Sequence, residues 1–290
     1  MRRPHILLAI LSAATATAQF QWPSVRTEER GPGSETKYAR NLNGQEVPVQ
    51  SVTEIVIEDT ASVKITERTT IKYDPNGRPG PDEKERIELH RDGPSERIIR
   101  TLTRRDTNGN SYVSEISRTS STTVGDTTAT RTEVETGNPS GRRQIAKVQE
   151  TRVVRPDEFT STQTTTVSSP DVNGRFGETA RSVTEYRKAR SGEVTIVFSE
   201  FAATGGAGMS LVKREVRRIA GDRAEVEVYE PSAPGRASTA EPALVRRQNI
   251  ERVTANGQTV ETTTVQPVGS DGKLEPPRPA ERRVCNGCAP

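Results

Sequence analysis

An antiparallel all-β meander of long hairpins is the fold class this sequence predicts, and three features predict it. Glycine-centred turn signals recur every 32–33 residues. A second set of turn signals falls near the middle of each interval. The segments between turns alternate their side chains with a period of two, which is the strand period.

The first set begins at Asn43-Gly44 and continues at Asn76-Gly77, Asn108-Gly109, Gly141, Asn173-Gly174 and Gly206. Successive glycines are 33, 32, 32, 33 and 32 residues apart. Gly235 and Asp271-Gly272 follow with a looser phase. A fixed interval of this size marks a repeat architecture. The mid-interval set is Asp59-Thr60, Asp92-Gly93, Gly125-Asp126, Pro156-Asp157, Ser191-Gly192, Gly221-Asp222 and Asn256-Gly257. Each unit is therefore two strands and two turns, and Asn-Gly and Asp-Gly supply the positive φ of tight hairpins. In "SVKITERTTIKY", Val63, Ile65, Thr69, Ile71 and Tyr73 share one face, and Lys64, Thr66, Arg68, Thr70 and Lys72 share the other. In "TTATRTEVET", Thr128, Thr130, Thr132, Val134 and Thr136 fall together. Hairpin tips are expected near residues 43, 76, 108, 140, 173, 205, 234 and 271.

Composition decides what kind of sheet this is. Of the 290 residues, 30% are hydrophobic and 4% aromatic, and the mean hydropathy is −0.73. Many strands carry polar residues on both faces, so a thick sandwich would bury charge. A single-layer or wide curved sheet, held by backbone ladders and by Thr–Thr and Glu–Arg cross-strand pairs, fits better. A β-propeller would need two units per blade, and partial disorder is the other alternative. An outer-membrane barrel lacks its apolar band and aromatic girdles. Lys and Arg number 42 against 39 Asp and Glu, a near balance that argues against a nucleic-acid partner.

"YDPNGR" resembles the YD-repeat (Rhs-type) signature of secreted β-rich shells. Tyr73, Asp74, Gly77 and Arg78 carry the whole pattern; Asp171, Gly174 and Arg175 keep three positions, and Asp106 and Gly109 keep two. The resemblance covers turns only, and it implies a shell or carrier that encloses a client.

The ends read differently from the middle. Residues 1–18 have Arg2 and Arg3, an apolar run from Ile6 to Ala14 and the small residues Ala16 and Ala18, the anatomy of a secretory signal cleaved between Ala18 and Gln19. Residues 19–39 read as a flexible segment, 40–274 as the repetitive β domain, and 275–290 as a Pro-rich tail with a Cys-x-x-Cys motif. No later segment is apolar enough for a membrane helix. The expected location is the periplasm or the cell exterior.

Few residues invite chemistry. Outside the signal the one histidine is His90, a solvated strand-end residue in this reading. Cys285 and Cys288 are candidates for a local disulfide, for intermolecular linkage or, least, for redox work. Asp74, Asn76, Asp106, Asn108 and Asn110 offer oxygens, but their glycine stands fourth rather than sixth, unlike a calcium loop. Neither a catalytic site nor a cofactor is predicted. The reading is an exported, non-enzymatic structural or surface-interaction protein of the cell envelope, with a glycan or protein partner. The alternatives are an envelope enzyme with an unrecognised carboxylate site and the shell or carrier of YD-repeat type. In exported material Cys285 and Cys288 should be oxidised; a thiol titration that finds two reactive thiols contradicts this.

Overall fold

The computed structural model describes residues 26–285 except 30, 32, 42, 172, 204–207, 232–241 and 256–257. The signal, its cleavage site at Ala18 and Gln19, the tips near 205 and 234, and Cys288 lie outside the described residues. The chain is a 17-stranded antiparallel meander, with no helix among the described residues. It divides into two compact units.

The smaller unit comprises the described residues up to Glu54 together with Thr69–Asp82. It holds β1 (Arg26–Glu29), β2 (Ser34–Arg40), and parts of β3 (Glu46–Asp59), β4 (Val63–Tyr73) and β5 (Pro79–Asp92). The expectation of a flexible segment over 19–39 is corrected from residue 26 onward. β2 pairs with both β1 and β3, and Thr36, Tyr38 and Ala39 are buried. The Arg26 guanidinium sits 4.4 Å from the centre of the Tyr38 ring, and its Nε donates to Glu46 Oε1 at 3.2 Å. The buried Tyr38 ring, with a cation over its face, adds to the backbone ladders that hold this strand.

The larger unit contains Ile55–Arg68 and the chain from Glu83 onward. Its strands continue as β6 (Ser95–Arg105), β7 (Ser111–Val124), β8 (Thr127–Gly137), β9 (Arg143–Val154), β10 (Thr160–Pro170) and β11 (Phe176–Lys188). They end with β12 (Val194–Ala203), β13 (Met209–Ala220), β14 (Arg223–Glu230), β15 (Ala243–Ala255), β16 (Gln258–Pro267) and β17 (Arg278–Cys285). From β5 to β17 each strand pairs with the next.

The two sets of turns differ only in part: the mid-interval loop at Gly192, with the Gly192 N–H on Ala189 C=O and the Ala189 N–H on Glu193 C=O, is built like the 32–33-residue set. Gly93-Pro94, Gly125-Asp126 and Gly221-Asp222 are two-residue loops, with glycine φ of 55°, 60° and 56°. The 32–33-residue set consists of longer loops, not the two-residue turn that Asn-Gly leads one to expect. In "DTNGN" the Gly109 N–H donates to Asp106 C=O at 3.0 Å and the Asp106 N–H to Asn110 C=O at 2.9 Å. Only Gly109, at φ +84°, needs the left-handed region. This is a three-residue hairpin loop closed by a glycine bulge. Asp106 Oδ1 then accepts the amides of Asn108 and Asn110 at 2.9 and 2.8 Å. Asn41, Asp74, Asn138 and Asp171 do the same in their own loops.

A bulge follows the loops of Asn41, Asp106, Asn138 and Asp171. Leu102 faces Glu115 but Thr103 faces Val113, so Ser114 is an extra residue in β7. Ala146, Thr179, Val212, Val245 and Ala280 are the extra residues of β9, β11, β13, β15 and β17. Ser114 Oγ donates to Leu102 C=O at 3.2 Å, and Thr179 Oγ1 to Val167 C=O at 3.3 Å. Hydroxyls thus occupy carbonyls beside the broken ladder. The bulge also explains β17. Residues 275–290 read as a tail because prolines cannot join a ladder, yet Pro279 stands opposite Thr264 at the register shift, where one backbone donor can be spared.

Neither face is apolar throughout. On one face Ser121, Thr130, Thr151 and Thr165 form a row across β7 to β10, bonded at 3.0 Å (Ser121–Thr130) and 3.1 Å (Thr151–Thr165). The opposite face carries ion pairs, including Arg118–Glu135 at 2.6 Å and Arg131–Glu150. Only Val226 and Val228 are almost wholly buried among the described large side chains. Stability is therefore spread over many small cross-strand terms.

One backbone approach gives a test. A Cβ on Gly137 would lie 2.2 Å from Val113 C=O, next to the β7 bulge. Gly137→Ala should cost about 1–3 kcal/mol by overpacking. Thermal melts followed by circular dichroism would read this as a lowered midpoint with the strand spectrum retained.

Candidate functional site

The sequence "RAEVEVYE" of β14 places Ala224, Val226 and Val228 on one face and Glu225, Glu227 and Tyr229 on the other. Register brings Val216 of β13 and Arg247 of β15 to either side of Glu227, Arg218 opposite Glu225 and Arg214 opposite Tyr229. The Glu227 side chain is 7% exposed. Its carboxylate accepts bonds from Arg218 Nη1 at 2.9 Å, Arg247 Nη2 at 2.7 Å and Tyr229 OH at 3.1 Å. Arg218 also bonds Glu225 at 3.0 Å. Arg247 Nε is buried without a hydrogen-bond partner, 3.6 Å from Glu225 Oε2.

Electrostatics fix the charge state. Burial pushes Glu227 upward, but the bonds from Arg247, Arg218 and Tyr229 prevail and hold it below the usual carboxylate value. Burial and the bond to Glu227 raise the Tyr229 phenol. The same carboxylate's hydrogen bonds raise both Arg218 and Arg247. Glu227 is thus a fixed anion that orients two guanidiniums and a phenol.

A cavity of about 470 Å³ opens beside this cluster on the same face of β12 to β14. Val197 and Val216 lie between Thr195 and Arg218 in one row and Arg214 and Tyr229 in another. Pro242 completes the lining. The Arg214 side chain makes no ion pair or hydrogen bond with the described residues. A second, more open depression of about 590 Å³ crosses β7 to β10, where Ala129 is small beside Arg131, Glu150 and Arg152.

The turn residues singled out from the sequence lie in the hairpin loops and take no part in these sites. Asn43 and Asn76 donate backbone amides to Asn41 and Asp74, ahead of Gly44 and Gly77. Asn108 and Asn173 do so before Gly109 and Gly174. Asp271 Oδ1 accepts the Lys273 amide beside Gly272. Asp106, a calcium candidate, has Oδ1 bonded to the loop's own amides and Oδ2 to Asn110 Nδ2 at 3.3 Å. His90 is half exposed, with Nε2 3.6 Å from Glu88 Oε2. Among the described residues no group of three or more His, Cys, Asp or Glu is placed to hold a metal. Sequence reasoning missed Glu227, Arg214 and Tyr229. The available signal was the hydrophobic alternation of Val226 and Val228, which marks Glu227 as facing the other way between covered neighbours.

No family model and no curated protein matches this chain. Among solved structures, it is similar to a mutant of the Rh. blastica porin at 8% identity, over 83% of this chain and 90% of that one, with a TM-score of 0.43. It is also similar to a porin-like protein from Bacteroides uniformis at 13% identity, over 74% of this chain and 93% of that one, with a TM-score of 0.12. The fold assignment rests on the chain's own strand pairing. No helix of the described residues is long and apolar enough to cross a membrane, which says nothing of strands.

Acid titration tests the cluster. Glu227, Glu88, Asp106 and Asp157 all have carboxyls held below their ordinary values. A depressed folded value stabilises above the unfolded value, about 4, and that stability is lost as pH falls through the folded value. The melting midpoint should be flat from about pH 5 to 8 and drop below about pH 4. Glu227→Gln should destabilise the fold at neutral pH by about 1–3 kcal/mol, seen as a lower midpoint, and flatten part of the acid limb.

Proposed function

We propose that this chain is an exported, non-enzymatic structural or surface-interaction protein of the cell envelope, located in the periplasm or outside the cell. The observation that carries this reading is the long repetitive meander itself, whose strands present Thr rows on one face and Arg–Glu pairs on the other. Glu88, Asp106, Asp157 and Glu227 have carboxyls displaced downward, as groups that accept bonds from their neighbours do. For Glu88 the cause is first the bond from Arg86; for Asp106 the Asn110 amide; for Asp157 the Thr160 hydroxyl. A general acid working near neutrality needs a carboxyl raised toward that pH. These groups serve as anchors for neighbouring amides and guanidiniums instead.

The long strands then present a polar surface of Thr, Arg and Glu, suited to an envelope glycan or another envelope protein. Export itself comes from the signal-like residues 1–18. The test is a pull-down of the exported protein against envelope fractions beside a hydrolase panel. Saturable, salt-tolerant binding without turnover is expected. Turnover abolished by a single carboxylate substitution overturns the reading.

A further inference from the structure

The cavity on β12 to β14 differs from the rest of the polar surface in three ways. It has an apolar floor, since Val216 is 8% exposed and Val197 is half-buried beside it. It has an aromatic wall, and Tyr229 is one of few aromatic residues in a chain where they make up 4%. It has an uncommitted cation, because Arg214 has no ion-pair partner among the described residues while Arg218 beside it is bound to Glu225 and Glu227.

Those three features ask different things of a ligand. An unpaired guanidinium favours a carboxylate, which it can meet through two parallel N–H bonds. A tyrosine ring over an apolar floor favours a flat, partly apolar body, while the Thr195 hydroxyl can donate or accept. A sugar ring offers C–H edges and hydroxyls together. The space suits a small unit, at the lower end of ligand cavities. The wall is also held in place: the Tyr229 hydroxyl is tied to Glu227, itself fixed by Arg218 and Arg247, so little ordering remains to be done on binding.

We infer that this cavity binds a carboxylated saccharide, with Arg214 meeting the carboxylate and the Tyr229 ring the sugar face. This rests on the surface-interaction reading above and names its ligand class.

The test is calorimetric titration of the exported protein with oligogalacturonate, with a neutral malto-oligosaccharide of equal length and with citrate. Saturable binding of oligogalacturonate at least about tenfold tighter than either control is expected. Arg214→Ala should weaken it about tenfold or more and Arg214→Lys less, because a lysine keeps the charge but not the fork. Tyr229→Phe keeps the ring and should bind far better than Tyr229→Ala. Circular dichroism must show each variant folded, and Arg223→Ala, in a surface pair with Glu251 away from the cavity, should bind as the parent does. Equal binding of the neutral chain, binding unchanged in Arg214→Ala, or no saturable binding overturns the inference. Should envelope fractions still bind while oligogalacturonate does not, this site assignment fails and the wider function stands.

Discussion

A meander with few buried apolar side chains must satisfy the backbone at every reversal by local means. Here the decisive interaction is one carboxylate or amide oxygen accepting two loop amides. Asn41, Asp74, Asp106, Asn138 and Asp171 each do this, three residues ahead of a glycine in the left-handed region. Each loop sets the register of the two strands that leave it. The bulge five residues after Gly109, Gly141 and Gly174 then adds one residue to the strand that follows. Turn, bulge and strand length are thus one repeated device, and losing its oxygen would leave two amides to solvent in each loop.

With register fixed, the faces need only pair, not pack. Hydroxyl rows such as Ser121–Thr130 and charge rows such as Arg131–Glu150 stabilise neighbours by short-range terms. Most of these are half exposed, so each contributes little. The cluster around Glu227 is the exception, because two guanidiniums and a phenol converge on a carboxylate that water barely reaches. Removing one partner there leaves buried charge uncompensated. The same convergence holds Tyr229 and Arg218 in place at the edge of the cavity on β12 to β14.

The carboxylates of this chain therefore act chiefly as acceptors for their own neighbours. Asp106 and Asp157 hold loops; Glu88 and Glu227 hold guanidiniums. That use explains why Asp-x-Asn-Gly, which resembles part of a calcium loop, closes on its own amides.

The sequence by itself determined the strand class, the interval of 32–33 residues and nearly every turn, because glycine and Asx chemistry is local and the period of two is readable along a single strand. It also implied the Thr–Thr and Arg–Glu pairings in kind. What only the tertiary structure decided was non-local. Which residue of each strand is the bulged one, how Pro279 joins a ladder, and how Arg26 and Tyr38 hold β1 to β2 depend on the opposite strand. Arg214 and Tyr229 were illegible for the same reason, and alternation showed only which way Glu227 faces: each is an ordinary strand residue until register sets β13, β14 and β15 side by side.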